Sequence, residues 1–307
     1  MSHFLRSLGI AIFIAAAVQS FTVGVLAPKL PREVIRPGVQ DLRTLSLPVA
    51  KLIQLTNADG SITVNVNVPD AGAIEVTADI RAYTQSYEKQ ALAEQYVRTL
   101  VKVEESPDAV TILTEPEERP DTVDLRVDYS LKVPEGTNIR LVGTNGNVWI
   151  EKGCGEITVA GNNTDIEILG AEGPVTAKST NGRVRVYDAQ AATTLETVNG
   201  SIYASVPSGT LKARTTNGHV YATLTDTKVE SCDLTVMNGG ITLVMPEGSS
   251  ARVDATTGRG TVKCDLPLGQ AQDGSRQREL HGLLGTGDGR LSLNTLNGDI
   301  WITRSTT

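Results

Sequence analysis

Thr144-Asn145-Gly146-Asn147-Val148-Trp149-Ile150, Thr180-Asn181-Gly182-Arg183-Val184-Arg185-Val186 and Thr216-Asn217-Gly218-His219-Val220-Tyr221-Ala222 are one phrase written three times. Asn163-Thr164 and Asn199-Gly200 fall midway between them, so asparagines at 145, 163, 181, 199 and 217 advance by a constant 18 residues. A fixed period of this size marks a solenoid, in which each repeat buries its apolar face only against its neighbours. Laid on that ruler, the residues form columns. One reads Leu141, Val159, Ala177, Leu195, Ala213, then Leu234, Val253 and Leu293; a second reads Val148, Ile166, Val184, Ile202, Val220, then Ile241 and Ile300. A third, two residues further on, reads Ile150, Ile168, Val186, Ala204, Ala222, then Leu243, Val262 and Ile302. Apolar residues at alternate positions have the period of a strand. Each rung therefore holds two short strands around an Asn-Gly corner.

Asn-Gly between alternating runs ordinarily signals a hairpin. The constant step argues otherwise, because the natural partner of each strand is then the matching strand of the next rung, stacked parallel at about 4.8 Å. The corner residues are Asn145-Gly146, Asn181-Gly182, Asn199-Gly200, Asn217-Gly218, Asn238-Gly239 and Asn297-Gly298. Backbone geometry alone accounts for this pair at a turn, and the asparagines are read as turn formers. The alternative is that their side chains bond to one another as a polar ladder. Beyond residue 224 the ruler slips: Asn238-Gly239 comes 21 residues after Asn217, Thr257-Gly258 another 19 on, and Asn297-Gly298 another 40. The last gap holds residues 268–289, rich in Gly, Gln and Arg and read as a long loop leaving the stack.

The rest of the chain frames the array. Residues 1–27 carry Arg6 and then an almost unbroken apolar run from Leu8 to Ala27, which reads as a signal peptide or an N-terminal membrane anchor. Either one exports the remainder of the chain. Residues 28–55, with Pro28, Pro31, Pro37 and Pro48, read as a Pro-rich linker. Residues 56–140 read as a β-rich cap that hides the exposed end of the solenoid. Strands are expected from Ser61 and from Ala73, and again over Ala109–Thr114 and Val123–Val133; one amphipathic helix is expected from Tyr87 to Leu100. Residues 141–304 are the repeat region.

Composition narrows function by exclusion. The 307 residues are 40% hydrophobic with a formal charge of −7, and no basic run suggests nucleic acid. Cys154, Cys232 and Cys264 form no disulfide framework and read as small buried hydrophobes, Cys154 being the one with a chance of exposure in its Gly-flanked turn. His3, His219 and His281 are scattered, so no metal site, cofactor or catalytic constellation is expected. The outward column between the second and third apolar columns is more informative: Trp149, Glu167, Arg185, Tyr203, Tyr221, Thr242, Thr261, Trp301. Half of it is aromatic in a chain with only 4% aromatics. Trp149, Arg183, Arg185, Tyr203, Tyr221 and Trp301 are the candidate interaction face, since aromatics and Arg on a flat strand surface serve sugar and protein contacts. The plainer reading is that aromatics stack down a column for stability, with Glu167 and Arg185 as a cross-strand pair. Asp165, Glu167, Arg183, Arg185 and Asp188 also gather on neighbouring rungs, as a carbohydrate-active enzyme would need, but their alternating signs look like charge pairing.

The Thr/Val-x-Asn-Gly-x-Ile/Val-x-Val phrases, the Leu266-Pro267 and His281-Gly282 segment and the closing Leu293–Ile302 run resemble the DUF4097 family of adhesin-like β-strand-repeat proteins. The resemblance covers about residues 50–304 and rests on structural turns, so it carries over no catalytic residue. It implies an exported or membrane-attached β-solenoid with adhesion or envelope-associated roles. The expectation is thus an all-β parallel β-helix with 18-residue rungs and a β-rich N-terminal cap containing one short helix. Its function is expected to be non-enzymatic binding on the bacterial envelope, to an unknown protein or polysaccharide, with membrane contact through the N-terminal segment if that is uncleaved. An envelope structural or regulatory protein, using the 268–289 segment to contact a protein partner, is the second expectation, and a carbohydrate-active enzyme the third.

Overall fold

The structure is a computed structural model and describes residues 38–66, 72–84, 86–114, 123–207, 209–273 and 277–305. The apolar segment 1–27 lies outside them. No helix among the described residues is long and apolar enough to cross a membrane. The chain folds as a flattened β-solenoid. Each rung gives one strand to a first sheet and, after the corner, one to a second sheet facing it. In Ile157–Leu169, for example, Ile157 and Val159 point inward from the first sheet and Ile166 and Ile168 from the second, all fully buried. Inward side chains of this size are worth roughly 1.5–3 kcal/mol each, so every added rung extends one continuous core.

Two sets of hydrogen bonds and one close steric fit hold the corners in register. The asparagine amides do form a ladder, so they are more than turn formers: Asn163 donates to Asn145, Asn181 to Asn163, Asn199 to Asn181 and Asn217 to Asn199, at 2.7–2.9 Å. Asn238 and Asn297 continue it. Behind the ladder the glycines stack so tightly that a Cβ on Gly200 would overlap the carbonyl of Gly182, and one on Gly218 that of Gly200. The second set of bonds ties an inward hydroxyl to the neighbouring rung's glycine carbonyl: Thr197 to Gly182, Thr215 to Gly200 and Thr295 to Gly239, at 2.8–3.0 Å. Thr164 replaces glycine in its rung, and the rung compensates. Its side chain turns inward over Gly161, where any Cβ would strike it. Gly161 occupies the place that Ser179 and Thr197 fill in the next two rungs.

The stack begins earlier than the repeat phrase suggests. Leu52–Asp59 and Ile62–Val66 pair parallel with Asn138–Ile150, placing Asp59 opposite Asn145, whose amide donates to the Asp59 carboxylate at 2.6 Å. Asp59-Gly60 is therefore the first corner, and residues 52–55 belong to a rung rather than a linker. The linker assignment of 28–55 fails a second time at Gly38–Leu47, a ten-residue strand antiparallel to Ile74–Thr84. The cap proper grafts onto both sheets. Ala109–Thr114 and Val101–Glu105 extend the first beyond Leu52–Asp59. Val123–Val133, Ile74–Thr84 and Gly38–Leu47 extend the second beyond Ile62–Val66. The expected helix is a 3-10 turn, Tyr87–Lys89, running into an α-helix, Gln90–Thr99, which buries Ala93 and Val97.

The other end is not stacked in chain order. Gly289–Asn297 and Ile300–Arg304 slide between the rung of Val229–Asn238 and that of Ala251–Arg259, pairing parallel with both. Register there corrects the corner placed at Thr257-Gly258. Arg259 lies opposite Asn297, and Thr257 opposite Thr295, so the corner is Arg259-Gly260. The columns move with it: Ala255, not Val253, meets Leu293, and Cys264, not Val262, meets Ile302. A slip of two residues keeps every side chain on its own face, so hydrophobic pattern alone cannot detect it. The segment 268–289 is also not a loop leaving the stack. Gly269–Asp273 and Glu279–Leu284 form an antiparallel hairpin whose second strand pairs with Ala251–Arg259 and covers the edge of the first sheet. Cys154 is buried, as is Cys232; burial pushes both thiols up to about 12, and Cys264 is the half-buried one.

Candidate functional site

Two outward faces flank the corners. On the second sheet, register assembles the candidate column in the order Trp149, Glu167, Arg185, Tyr203, Tyr221, Thr242, Trp301, ending on Lys263 rather than Thr261. The middle of this column closes on itself. Arg185 meets Glu167 at 3.4 Å and lies 5.9 Å from the Tyr203 ring centre. Tyr203 and Tyr221 stack with centroids 5.0 Å apart and planes 8° apart, and His219 stacks on Tyr221 at 5.5 Å. The faces of the two tyrosine rings are thus largely taken by their neighbours. Trp149 stands at one end beside Glu167, and Trp301, 47% exposed, stands beyond Thr242 with Lys263 over its ring. Arg183 is off the column. It sits at the corner, where its guanidinium and backbone N–H all bond to the Asp165 carboxylate. Of the five charged residues considered for hydrolysis, four are therefore locked as Arg183–Asp165 and Arg185–Glu167, and Asp188 lies in a turn with φ of 56°.

The first sheet carries a feature that the repeat columns do not announce. A trough of about 930 Å³ runs along the stack from Ala160 and Gly161 to Thr256 and Gly258. It crosses seven rungs, roughly 29 Å at about 4.8 Å per step. One wall is polar and charged: Lys178, Glu196, Arg214, Thr235, Asn294. The other is the residue just before each corner asparagine: Thr180, Val198, Thr216, Met237, Leu296. Between them the floor is backbone at Ser179, Thr197 and Thr215, in strands already paired on both sides. The charges on the polar wall are matched within the fold, Lys178 to Glu196 at 2.9 Å and Arg214 to Asp233 at 3.5 Å. Met237 and Leu296 are 50% and 53% exposed, so the apolar wall is open to solvent. The signal for this wall was present in the sequence: Val198, Met237 and Leu296 are apolar residues in the outward phase of an alternating strand, where polar residues belong.

The metal-ligating side chains do not converge; among the described residues no group of three His, Cys, Asp or Glu could hold an ion. The Ser250 and Thr286 hydroxyls and the Asp288 carboxylate tie the 285–288 turn to the stack through Ser250 Oγ, which accepts the N–H of Gly287 at 3.0 Å.

Comparison with known proteins gives the fold a family. The chain is similar to a candidate adhesin of Bacteroides fragilis, with 14% identity over 87% of this chain and 97% of that one and a TM-score of 0.48. It is also similar to a candidate lipid-binding protein of Parabacteroides distasonis, with 9% identity over 87% and 97% and a TM-score of 0.45. A candidate cell adhesion protein of Clostridium sporogenes matches at 11% identity over 88% and 100%, with a TM-score of 0.25. No curated protein matches the chain. Likenesses this distant carry no functional argument here. The match that counts lies within the sequence itself: the family described as Toastrack DUF4097 matches residues 121–303, from the last cap strand to the last rung. With more than half its length matched and its corners stacked as the repeat requires, the chain belongs to the Toastrack DUF4097 family.

Proposed function

We propose that this protein is a non-enzymatic, adhesin-like binding scaffold that works on the extracytoplasmic side of a bacterial envelope. The observation that carries this reading is the trough: a long open surface with one apolar wall, on a rack held rigid by paired backbone on both sides. Exposed apolar patches that persist in a folded monomer mark contact sites. The alternating charges on neighbouring rungs favour binding over catalysis, because acid–base hydrolysis needs a carboxyl or a base that is free to exchange protons with the substrate. Arg183, Asp165, Arg185 and Glu167 are engaged with one another instead. The apolar run from Leu8 to Ala27 supports export.

The test is a binding screen of the full-length chain against envelope polysaccharides and envelope protein extracts, with product analysis of every hit. Binding without turnover is the expected result. Turnover of any polysaccharide, abolished by Arg185→Ala, would overturn it in favour of the enzyme. One observation favours a protein partner as the second reading: Gly269–Asp273 is an edge strand, paired on one side only among the described residues, and such edges template strand addition. A proline within Gly269–Asp273 would then weaken capture of that partner while leaving polysaccharide binding intact.

A further inference from the structure

We infer that the trough of the first sheet, rather than the aromatic column, is the ligand site, and that its occupant is a linear, uncharged glycan lying along the stack. The inference deepens the binding-scaffold reading and rests on it. Three properties of the trough select the occupant. First, its two walls differ in kind. Lys178, Glu196, Arg214 and Asn294 present hydrogen-bonding groups on one side; Val198, Met237 and Leu296 present methyl and thioether surface on the other. A sugar chain has both kinds of surface on every residue, hydroxyls at the ring edge and C–H groups on the ring face. An acyl chain has only the second and would strip water from the ionic wall without replacing its hydrogen bonds, which is costly.

Second, the floor has nothing to offer another backbone. The strands through Ser179, Thr197 and Thr215 are hydrogen-bonded on both sides. An extended peptide laid along the trough would gain no backbone hydrogen bonds from the floor and would have to dock on side-chain contacts alone. Third, the charges in the polar wall are already balanced, Lys178 against Glu196 and Arg214 against Asp233. A polyanion or polycation finds no net charge in these pairs to attract it. A neutral chain of hydroxyls can add to them, since paired charged groups still accept and donate further hydrogen bonds. The stacked tyrosines of the other face, by contrast, have their ring faces occupied by each other and by Arg185.

The experiment is calorimetric titration of the full-length chain with neutral linear hexasaccharides (cellohexaose, chitohexaose, maltohexaose), an alginate hexamer, palmitate and an extended valine-threonine decapeptide. The expected result is that at least one neutral hexasaccharide binds and that the alginate hexamer, palmitate and the peptide do not. Met237→Lys with Leu296→Lys should weaken that binding at least tenfold; both side chains are half exposed, so the fold should tolerate the change. Tyr203→Ala should leave it within twofold. Binding of palmitate, peptide or alginate in place of the neutral sugars would overturn the inference. So would sugar binding that survives the double lysine variant, or that is lost with Tyr203→Ala while that variant's melting curve shows it folded. Failure of this inference is separable from failure of the scaffold reading. If envelope extracts bind and the trough variants make no difference, only the trough assignment falls; if nothing binds, both fall.

Discussion

The two outward faces are built by the same rungs, yet the middle of one is matched from rung to rung and the other leaves a trough between two columns. In the middle of the second sheet the projecting groups meet their counterparts on the next rung, Glu167 to Arg185, Arg185 to Tyr203, Tyr203 to Tyr221. On the first sheet two columns project side by side and leave a trough between them, with Met237 and Leu296 half exposed on one wall. The difference teaches that a column of aromatics in a solenoid is a device for cohesion between rungs. Surface meant for a ligand shows itself instead by apolar side chains with no neighbour to cover them.

The corner is where both faces meet, so the largest effect is expected there. Gly200→Val would force a side chain into the Gly182 carbonyl, and strain at a site with no room to relax should cost more than about 4 kcal/mol. Urea unfolding monitored by circular dichroism should show no folded baseline for this variant. If it unfolds like the parent, the corners are not what couples the faces. Asn199→Ala should cost less, about 1–2 kcal/mol, because it removes the bond to Asn181 and deprives the Asn217 amide of its acceptor at a corner that water can reach. Comparing the faces directly, Tyr203→Ala should cost about 1 kcal/mol through loss of the Tyr221 stack and the Arg185 contact. Met237→Ser should stay within about 0.5 kcal/mol, as open surface does. Equal losses for the two would erase the distinction between a matched and an open face.

Much of the architecture was legible because the corner chemistry repeats in sequence. Asn at a step of 18, within Thr-Asn-Gly at every second rung, announces both the stack and its register from residue 141 to 224. Legibility failed where chemistry was conserved but letters were not. Asp59-Gly60 does the work of Asn-Gly, yet the next rung lies 86 residues on, beyond the cap, and no constant period survives such an insertion. Arg259-Gly260 was hidden by a decoy, Thr257-Gly258, offset by two residues on the same face. The insertion of Gly289–Arg304 between two earlier rungs is invisible to any linear ruler, because parallel strands of equal length and like pattern can be stacked in several orders. The order of the candidate column is legible from Trp149 to Tyr221, whose rungs lie in the regular stretch, and carries over the 21-residue step to Thr242 because the corner Asn238-Gly239 restores the phase. That its ring faces are spent on one another is a matter of side-chain torsion, which spacing does not encode. The trough is hard to see in sequence because its only marks are phase errors at Val198, Met237 and Leu296, which aromatic residues on the other face outshine.

A small effect that changes with pH tests whether the matched face extends onto the cap. Asp128, on the cap strand Val123–Val133, accepts the Ser61 N–H at 2.8 Å, as Asp165 accepts the N–H of Arg183 and Asp299 that of Thr261. The cap strand thus imitates a rung at the first corner. Burial alone would raise the Asp128 carboxyl, but the hydrogen bonds from Arg126 and Ser61, with Arg81 nearby, outweigh it and hold the group below the usual carboxylate range. A carboxyl depressed in the folded state contributes stability that is fully present above its unfolded value, near 4. That contribution is lost as pH falls through the lower, folded value. Asp128→Asn should therefore be less stable than the parent at neutral pH by about 0.5 kcal/mol, a modest figure because water reaches this site. The gap should close below about pH 4, where the parent gives up the same interaction. Thermal melts of both proteins from pH 7 to pH 3 would show the two curves converging in acid. Parallel curves would mean that Asp128 adds nothing beyond an ordinary surface pair, and that the self-matched surface ends at Trp149.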